Sequence, residues 1–242
     1  MLVLSDRHRP ADLALWAEYE AADRVHGERL TRSGKVEAAI GAIREFAAKR
    51  PCYVGFSGGK DSSVTLDLVR RAGVDCPAVY LKAIPHGNPD CMSVADVFGG
   101  VEVIEVDYRP IPRDAGHWQI EREKDRIFFG ACDELQRRLG RRILGIRGAE
   151  SRARQLRIAR WGLATENTLA PIGRWTTADV FGYASYFGVP LHPAYAMLGG
   201  GRWPRERLRV DELGGERGDG SGRREWELEY YGDVLRRIEA GR

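Results

Sequence analysis

Residues 53–63 read Tyr53-Val-Gly-Phe-Ser57-Gly58-Gly59-Lys60-Asp61-Ser62-Ser63, an apolar run, a glycine-rich turn and then polar residues suited to a first helical turn. In this order they predict a strand that leads into the N-terminus of a helix. Backbone N–H groups at such a terminus point outward with the positive end of the helix dipole, and adjacent glycines let an anion approach without meeting a Cβ. The stretch therefore predicts a phosphate-binding loop.

The side chains of this loop supply the donors and charges that suit a polyphosphate. Ser57, Ser62 and Ser63 carry hydroxyl donors, and Lys60 carries a mobile ammonium group. Asp61 beside a bound polyphosphate is a candidate ligand for Mg²⁺, directly or through water. The predicted nucleotide contacts of the loop are Ser57, Gly58, Gly59, Lys60, Asp61, Ser62 and Ser63.

Two common phosphate motifs do not fit the loop. A Walker A loop has the form G-x-x-x-x-G-K-[ST], and this chain has Val54 at the first glycine position and Asp61 after the lysine. A dinucleotide fingerprint separates its glycines as G-x-G-x-x-G, whereas Gly58 and Gly59 are adjacent. A tight turn without a ligand stays open as the structural alternative.

Short apolar segments separated by helices predict a parallel sheet covered on both faces. This is a doubly wound α/β fold, in which ligands lie beyond the carboxyl ends of the strands, where the phosphate loop also falls. Further strands are predicted at Ala78–Leu81, Val101–Val106 and Ile143–Ile146, and helices at Ser62–Ala72 and Asp125–Leu139.

The chain divides by pattern into three parts. Residues 1–50 predict a helical N-terminal extension, 51–195 the nucleotide-binding domain, and 196–242 a flexible loop followed by a helix over Arg223–Ala240. Residues 107–124 are irregular, and both a lid over the substrate and a plain excursion remain open.

Composition limits the function classes. With 43% hydrophobic and 30% charged residues and no apolar run near the ~20 residues of a membrane span, we expect a cytoplasmic protein without membrane contact. A net charge of +3 is too small to make nucleic-acid binding the default inference.

The cysteines show neither C-x-x-C spacing nor an accompanying histidine cluster, so we expect no iron–sulfur cluster and no zinc site. Cys52 and Cys76 fall at or before the amino ends of their strands, and Cys132 falls within a helix. Cys91, in the loop predicted after the second strand, is the cysteine at the carboxyl ends of the strands, where the phosphate loop falls.

A second motif follows the strand near residue 145. Residues 145–154 read Gly145-Ile-Arg147-Gly148-Ala-Glu150-Ser151-Arg152-Ala-Arg154. Arginine at a strand end near a phosphate loop is suited to neutralise charge on the bound polyphosphate or on an anionic acceptor, so we favour anion contact and a catalytic role for Arg147 and Arg154. For Arg157 and Arg160 we favour a solvated helix face.

These motifs resemble a known family. The string Ser57-Gly-Gly-Lys-Asp-Ser62 resembles the PP-loop of the ATP pyrophosphatase superfamily. Together with residues 145–154, Pro171-Ile, Trp175-Thr, Asp179-Val and Pro190-Leu191-His192-Pro193-Ala-Tyr195, it resembles the phosphoadenosine phosphosulfate reductase-like branch. The resemblance implies an adenine nucleotide alpha hydrolase-like fold and cleavage of ATP to AMP and pyrophosphate. We also expect nucleotide contacts from Leu81 and Gly148.

The chain departs from that branch at two places. Residues 80–90, Tyr80-Leu-Lys82-Ala-Ile-Pro-His86-Gly-Asn88-Pro89-Asp90, replace the Asp-Thr-Gly-like turn that commonly follows the second strand. The reductases of the branch carry a nucleophilic cysteine in a C-terminal tail, and this chain has no cysteine after Cys132. We therefore do not expect reduction of a sulfonucleotide through such a thiol.

The leading hypothesis is an ATP pyrophosphatase that activates an acceptor as an adenylate in a sulfur-incorporation pathway, with DNA phosphorothioation as its most concrete form. DNA or another nucleic acid and a cysteine desulfurase are then candidate partners, and Cys91 is the candidate sulfur carrier. Adenylation of sulfate or another small molecule, and a module that senses ATP without cleaving it, remain alternatives.

Overall fold

The computed structural model describes residues 1–111, 116–208, 210, 212–214 and 223–240. These residues form a five-stranded parallel sheet in the order β3-β2-β1-β4-β5. The first strand lies in the middle, and the order reverses between β1 and β4, which opens a crevice at their carboxyl ends. The strands are β1 (Cys52–Phe56), β2 (Ala78–Ile84), β3 (Val101–Asp107), β4 (Arg141–Leu144) and β5 (Thr168–Leu169).

Helices cover both faces of the sheet, which confirms the predicted doubly wound α/β fold. Side chains alternate along β1, so that Val54 and Phe56 enter the main core, whereas Tyr53 packs against Leu135 on the opposite face. The helices are α1 (Pro10–Arg32), α2 (Lys35–Lys49), α3 (Lys60–Ala72), α4 (Asp90–Phe98), α5 (His117–Leu139), α6 (Arg152–Trp161), α7 (Thr177–Phe187) and α8 (Arg223–Ala240).

The N-terminal helices and α8 belong to the same apolar core as the sheet. Trp16 of α1 and Trp226 of α8 are both buried in that core. Helix α1 approaches α7 so closely that a Cβ on Gly27 would lie 2.2 Å from the carbonyl oxygen of Gly182. The two helix backbones therefore meet without side chains between them. The division into parts at residues 50 and 195 stays a prediction.

Several predicted boundaries are wrong. Helix α5 begins at His117, so the irregular segment predicted over 107–124 ends earlier; its residues 112–115 lie outside the described part of the chain. The first two turns of α5 bury almost no side chains, and a helix without a core face lacks the periodic apolar signal.

Cys91 lies in the first turn of α4, not in a loop, and β4 begins two residues before the predicted strand.

The segment after residue 195 also differs from the flexible loop that we predicted. Met197, Trp203 and Leu213 are buried in the main core. The glycine-rich run at residues 215–222 lies outside the described residues. None of the described helices combines the length and apolarity required to cross a membrane.

Candidate functional site

The phosphate loop joins β1 to α3 and is held by its own serines. Gly58 has φ +76°, a left-handed conformation that favours glycine. The Ser62 hydroxyl donates to the carbonyl oxygen of Gly59 at 2.8 Å and accepts the backbone N–H of Ser57 at 3.1 Å. The Ser57 hydroxyl also donates to Ser62 Oγ at 3.1 Å. The predicted turn is therefore a closed loop that ends at the first residue of α3.

Three pieces of backbone meet at this loop, and glycines allow the contact. A Cβ on Gly58 would lie 2.9 Å from Cys91 Cβ and Sγ, and one on Gly59 would lie 3.3 Å from Val210 Cγ2. At the end of β4, a Cβ on Gly145 would lie 2.6 Å from the backbone of Asp61. The loop is thus packed against α4 and β4 through positions where any side chain would force a displacement.

A buried charge cluster lies at the N-terminus of α3. Lys60 Nζ donates to Asp61 Oδ2 at 2.9 Å, and Arg147 Nε donates to Asp61 Oδ1 at 2.5 Å. Lys60 is 6% exposed and Arg147 is 2% exposed, so solvent screens these charges weakly. Arg147 also donates to the hydroxyl of Thr177 at 3.2 Å, which ties it to the first turn of α7.

Asp61 thus orients both cations, because each of its carboxylate oxygens accepts from one of them. This arrangement brings together three of the predicted site residues, although Arg147 lies 86 positions after Asp61. The predicted role of Asp61 as a Mg²⁺ ligand stays a prediction. In the described part of the chain, no three His, Cys, Asp or Glu side chains are grouped so that they could hold a metal.

Two polar groups of α3 bear on the fit with a polyphosphate, one of them already hydrogen-bonded and the other unpaired. The backbone N–H of Lys60 donates to the Tyr195 hydroxyl at 3.0 Å, so the first amide of the helix is hydrogen-bonded to a phenol oxygen. The buried hydroxyl of Ser63 has no hydrogen-bond partner among the described residues. A glycine cradle, a helix N-terminus, two cations and an unpaired hydroxyl form a donor set suited to phosphate oxygens.

Tyr195 was not among the site residues predicted from sequence. It is 2% exposed and belongs to a short turn that follows His192. Burial lowers the pKa of His192 to about 3, so its ring is neutral and Nδ1 accepts the backbone N–H of Ala194 at 3.1 Å. The only sequence signal for this contact is the motif at residues 190–195, whose partner in α3 is 135 positions away.

The motif at 147–154 continues to the rim of the site. Glu150 accepts the backbone N–H of Arg147 at 3.0 Å and also pairs with the guanidinium of Arg154. The Arg154 side chain is 46% exposed, so it lies at the edge and not in the buried cluster. The N–H of Gly148 donates to the carbonyl oxygen of Gly173 at 2.8 Å.

Leu81 does not lie at a strand end as the sequence suggested. Strand β2 continues to Ile84, and Leu81 packs in the small apolar clusters between the sheet and α5. Our boundary was too short because Lys82 interrupts the apolar run. Its contact with nucleotide stays a prediction that this placement does not favour.

Cys91 lies at the carboxyl ends of the strands, beside the phosphate loop, as predicted. Its Sγ is 3.3 Å from the carbonyl oxygens of Ser57 and Val210, and the residue is 1% exposed. Its sulfur is therefore enclosed between the phosphate loop and the segment near residue 210.

Asp179 anchors the helix that holds Arg147. Burial raises the pKa of this carboxyl, but hydrogen bonds from Thr176, His26 and Lys35 outweigh that effect and bring the pKa to about 2. Thr176 and Asp179 form a capping box at the start of α7, so Thr177 is presented to Arg147 in a defined position.

A sequence profile of the phosphoadenosine phosphosulfate reductase domain matches residues 51–198. This range contains the phosphate loop, the charge cluster and Tyr195. No curated protein sequence matches the chain.

Among solved structures, the chain is similar to NMN synthetase from Francisella tularensis, with 14% identity, a TM-score of 0.47, and coverage of 65% of this chain and 71% of that one. It is also similar to U34-tRNA thiolase NcsA from Methanococcus maripaludis with its [4Fe-4S] cluster, with 12% identity, a TM-score of 0.47 and coverage of 85% and 78%. The NH3-dependent NAD synthetase from Campylobacter jejuni in complex with the nitrate ion has 16% identity, a TM-score of 0.47 and coverage of 86% and 92%.

Proposed function

This chain belongs to the phosphoadenosine phosphosulfate reductase domain family, and from that membership we propose that it binds ATP at residues 57–63 and cleaves it to AMP and pyrophosphate. The observation that carries the proposal is the buried cluster of Lys60, Asp61 and Arg147 at the N-terminus of α3. Two cations held beside a glycine-rich anion cradle stabilise the charge that develops on a departing pyrophosphate.

Each member of the cluster has a distinct role in this proposal. Lys60 reaches phosphate oxygens by moving its ammonium group away from Asp61. Arg147, fixed by Asp61 and Thr177, neutralises charge on the α-phosphate. Asp61 keeps Arg147 in place and holds Lys60 until it turns to the phosphates, and Mg²⁺ would supply further charge neutralisation beside it. Because Lys60 and Arg147 are buried and the Asp61 side chain is only 13% exposed, their electrostatic effect is larger than it would be in water.

We further propose that the reaction activates an oxygen of a nucleic acid for sulfur incorporation, with DNA phosphorothioation as the concrete form. Helix α6 supports this acceptor, since it follows directly from the Arg147 turn and contains no acidic residue. Leu156 and Trp161 on it are 60% and 59% exposed, and the Arg160 guanidinium lies 4.8 Å from the Trp161 ring centroid. Exposed arginine and aromatic groups suit phosphate contact and base stacking. The arginines of α6 are Arg152, Arg154, Arg157 and Arg160.

A cysteine desulfurase is the proposed source of sulfur. Cys91 is the candidate carrier on this chain because it lies against the phosphate loop. Its burial means that the segment near Val210 would have to move before its sulfur could react.

The test is product analysis with ATP and Mg²⁺, with and without DNA, for wild type, Lys60→Ala and a matched control, Lys49→Ala. Lys49 lies on the surface of α2 and pairs with Glu45. For both wild type and the control, we expect AMP and pyrophosphate to form in equal amounts. Lys60→Ala should reduce the rate by at least about 100-fold, the usual effect of removing one group that stabilises the transition state.

Three outcomes would contradict parts of the proposal. If wild type forms neither product under either condition, the chain is an ATP-sensing module and not a pyrophosphatase. If sulfate stimulates turnover and DNA does not, the acceptor is a small molecule. If Lys49→Ala lowers turnover as much as Lys60→Ala does, the buried cluster is not the source of catalysis.

A further inference from the structure

Two cysteines lie next to each other at the end of the sheet that is opposite the phosphate loop. Cys52 is the first residue of β1, and Cys76 precedes β2 by two positions. Val54 pairs with Ala78 in the parallel register, so Cys52 and Cys76 are level with one another. Side chains at matching positions of parallel strands point to the same face, and the two sulfurs are 3.7 Å apart.

We propose that Cys52 and Cys76 form a redox-sensitive thiol pair that closes to a disulfide when the protein meets a hydroperoxide. Both residues are free thiols in this structure. This proposal does not depend on the proposed ATP chemistry.

The geometry of the pair suits a disulfide. Neighbouring strands lie about 4.8 Å apart, which is within the ~4.4–6.8 Å between Cα atoms that a disulfide spans. The sulfurs need to approach from 3.7 Å to the ~2.05 Å of an S–S bond, a movement that small side-chain rotations can supply. The backbone pairing of β1 and β2 therefore need not change.

The surroundings favour reaction at Cys52. The hydrogen bond that it shares with Cys76 lowers the pKa of Cys52 to about 7, although burial opposes this and the nearby Asp75 carboxylate opposes it further. The guanidinium of Arg141, the neighbour of Cys52 on β4, also lowers that pKa. A thiolate is the form that attacks a peroxide. Cys76 is partly exposed, which leaves the pair open to small oxidants and reductants.

The chemistry balances in two steps. The Cys52 thiolate attacks one peroxide oxygen, which breaks the O–O bond, forms a sulfenic acid and releases hydroxide. The Cys76 sulfur then attacks the Cys52 sulfur, so that the S–S bond forms, the S–O bond breaks, and water leaves with the thiol proton. The two sulfurs lose two electrons in total, and these reduce the peroxide. Two equivalents of a small thiol, or one dithiol, return both cysteines to thiols by two exchange steps and are themselves oxidised to a disulfide.

The other two cysteines serve as internal controls. Cys91 lies beside backbone carbonyls at the phosphate loop, and burial raises the pKa of Cys132 in α5. Both are therefore expected to stay reduced while Cys52 and Cys76 react.

The experiment exposes folded wild-type protein to hydrogen peroxide at neutral pH, alkylates the remaining thiols and maps peptides without reduction. We expect the thiol count to fall from four to two and a cross-linked peptide joining residues 52 and 76 to appear. Dithiothreitol should restore all four thiols. Cys132→Ser should keep the cross-link, whereas Cys76→Ser should lose it and leave oxidised Cys52.

The wild-type peptide map alone can overturn the proposal, so the test does not depend on the folding of a variant. Retention of four thiols by folded protein after peroxide treatment would refute it. Oxidation that is confined to Cys91 or Cys132, or that is not reversed by dithiothreitol, would refute it as well.

Discussion

Replacing Gly145 with alanine should weaken both the fold and the site, because this residue lies where the end of β4 meets the first turn of α3. The added Cβ would lie 2.6 Å from the backbone carbon and oxygen of Asp61 and 2.7 Å from the backbone nitrogen of Ser62. All three are backbone atoms, so no side-chain rotation relieves the overlap. Reaching the ordinary contact distance of 3.4 Å requires the two segments to separate by about 0.8 Å.

This separation sets the expected magnitudes. Overpacking of this kind costs about 1–3 kcal/mol in the free energy of unfolding. The same separation would displace Asp61 on α3 relative to Arg147, which lies two residues beyond Gly145. These two residues form the buried ion pair. A misplacement of ~1 Å in a catalytic group commonly lowers the rate by about 100-fold. We therefore expect a comparable loss of AMP formation from ATP.

Urea unfolding and the product assay measure the two effects separately, with Gly130→Ala as the matched control. Gly130 lies within α5, and a Cβ there would meet nothing within 4 Å. This control should gain about 0.5–1 kcal/mol, since alanine favours a helix more than glycine does. If Gly145→Ala unfolds at the same urea concentration as wild type, the close approach is wrong. If it loses stability but keeps full activity, the site does not depend on this contact.

Three further predictions concern the groups around the site. Asp61→Asn should lower the free energy of unfolding by about 3 kcal/mol, because two buried cations lose their counter-charge; a loss below about 1 kcal/mol in urea unfolding would refute that role. Tyr195→Phe should cost about 1 kcal/mol, because the backbone N–H of Lys60 loses its acceptor, and an unchanged urea midpoint would contradict the contact. Burial lowers the pKa of His192 from 6.5 to about 3, so the unfolded chain binds a proton on this ring more readily than the folded chain does. The contribution of His192 to stability is therefore complete above about pH 6.5 and should decline as the pH falls toward 3. His192→Asn should lack that part of the decline in a pH series of urea unfolding.

Local features of the fold were predicted well from the sequence. The strand, turn and helix at the phosphate loop, the end of α3 at Ala72 and the bounds of α8 all agree with the structure. Each depends on the chemistry of a few consecutive residues, such as a glycine with positive φ directly after a helix. The presence of four of the strands was predicted for the same reason, although β5, with two residues, was missed.

The elements without a strong local signal were predicted poorly. The first part of α5 is mostly solvated, and α4 is short and follows a proline, so neither has a clear apolar repeat. The expectation that Leu81 lies at a strand end was wrong because a lysine in β2 resembles the end of an apolar run. The packed segment at 197–208 looked like a loop because its glycines and its proline favour turns, whatever they pack against.

The sequence by itself determined that the chain has a glycine-rich loop between a strand and a helix, because that turn depends on the backbone freedom of Gly58 and on neighbouring donors. Only the tertiary structure decided what surrounds the loop. Asp61 pairs with Arg147 across 86 positions, and Tyr195 accepts from Lys60 across 135. Such contacts depend on which elements approach closely, and the energy of an approach is a property of both partners together. No stretch of residues read alone contains that information.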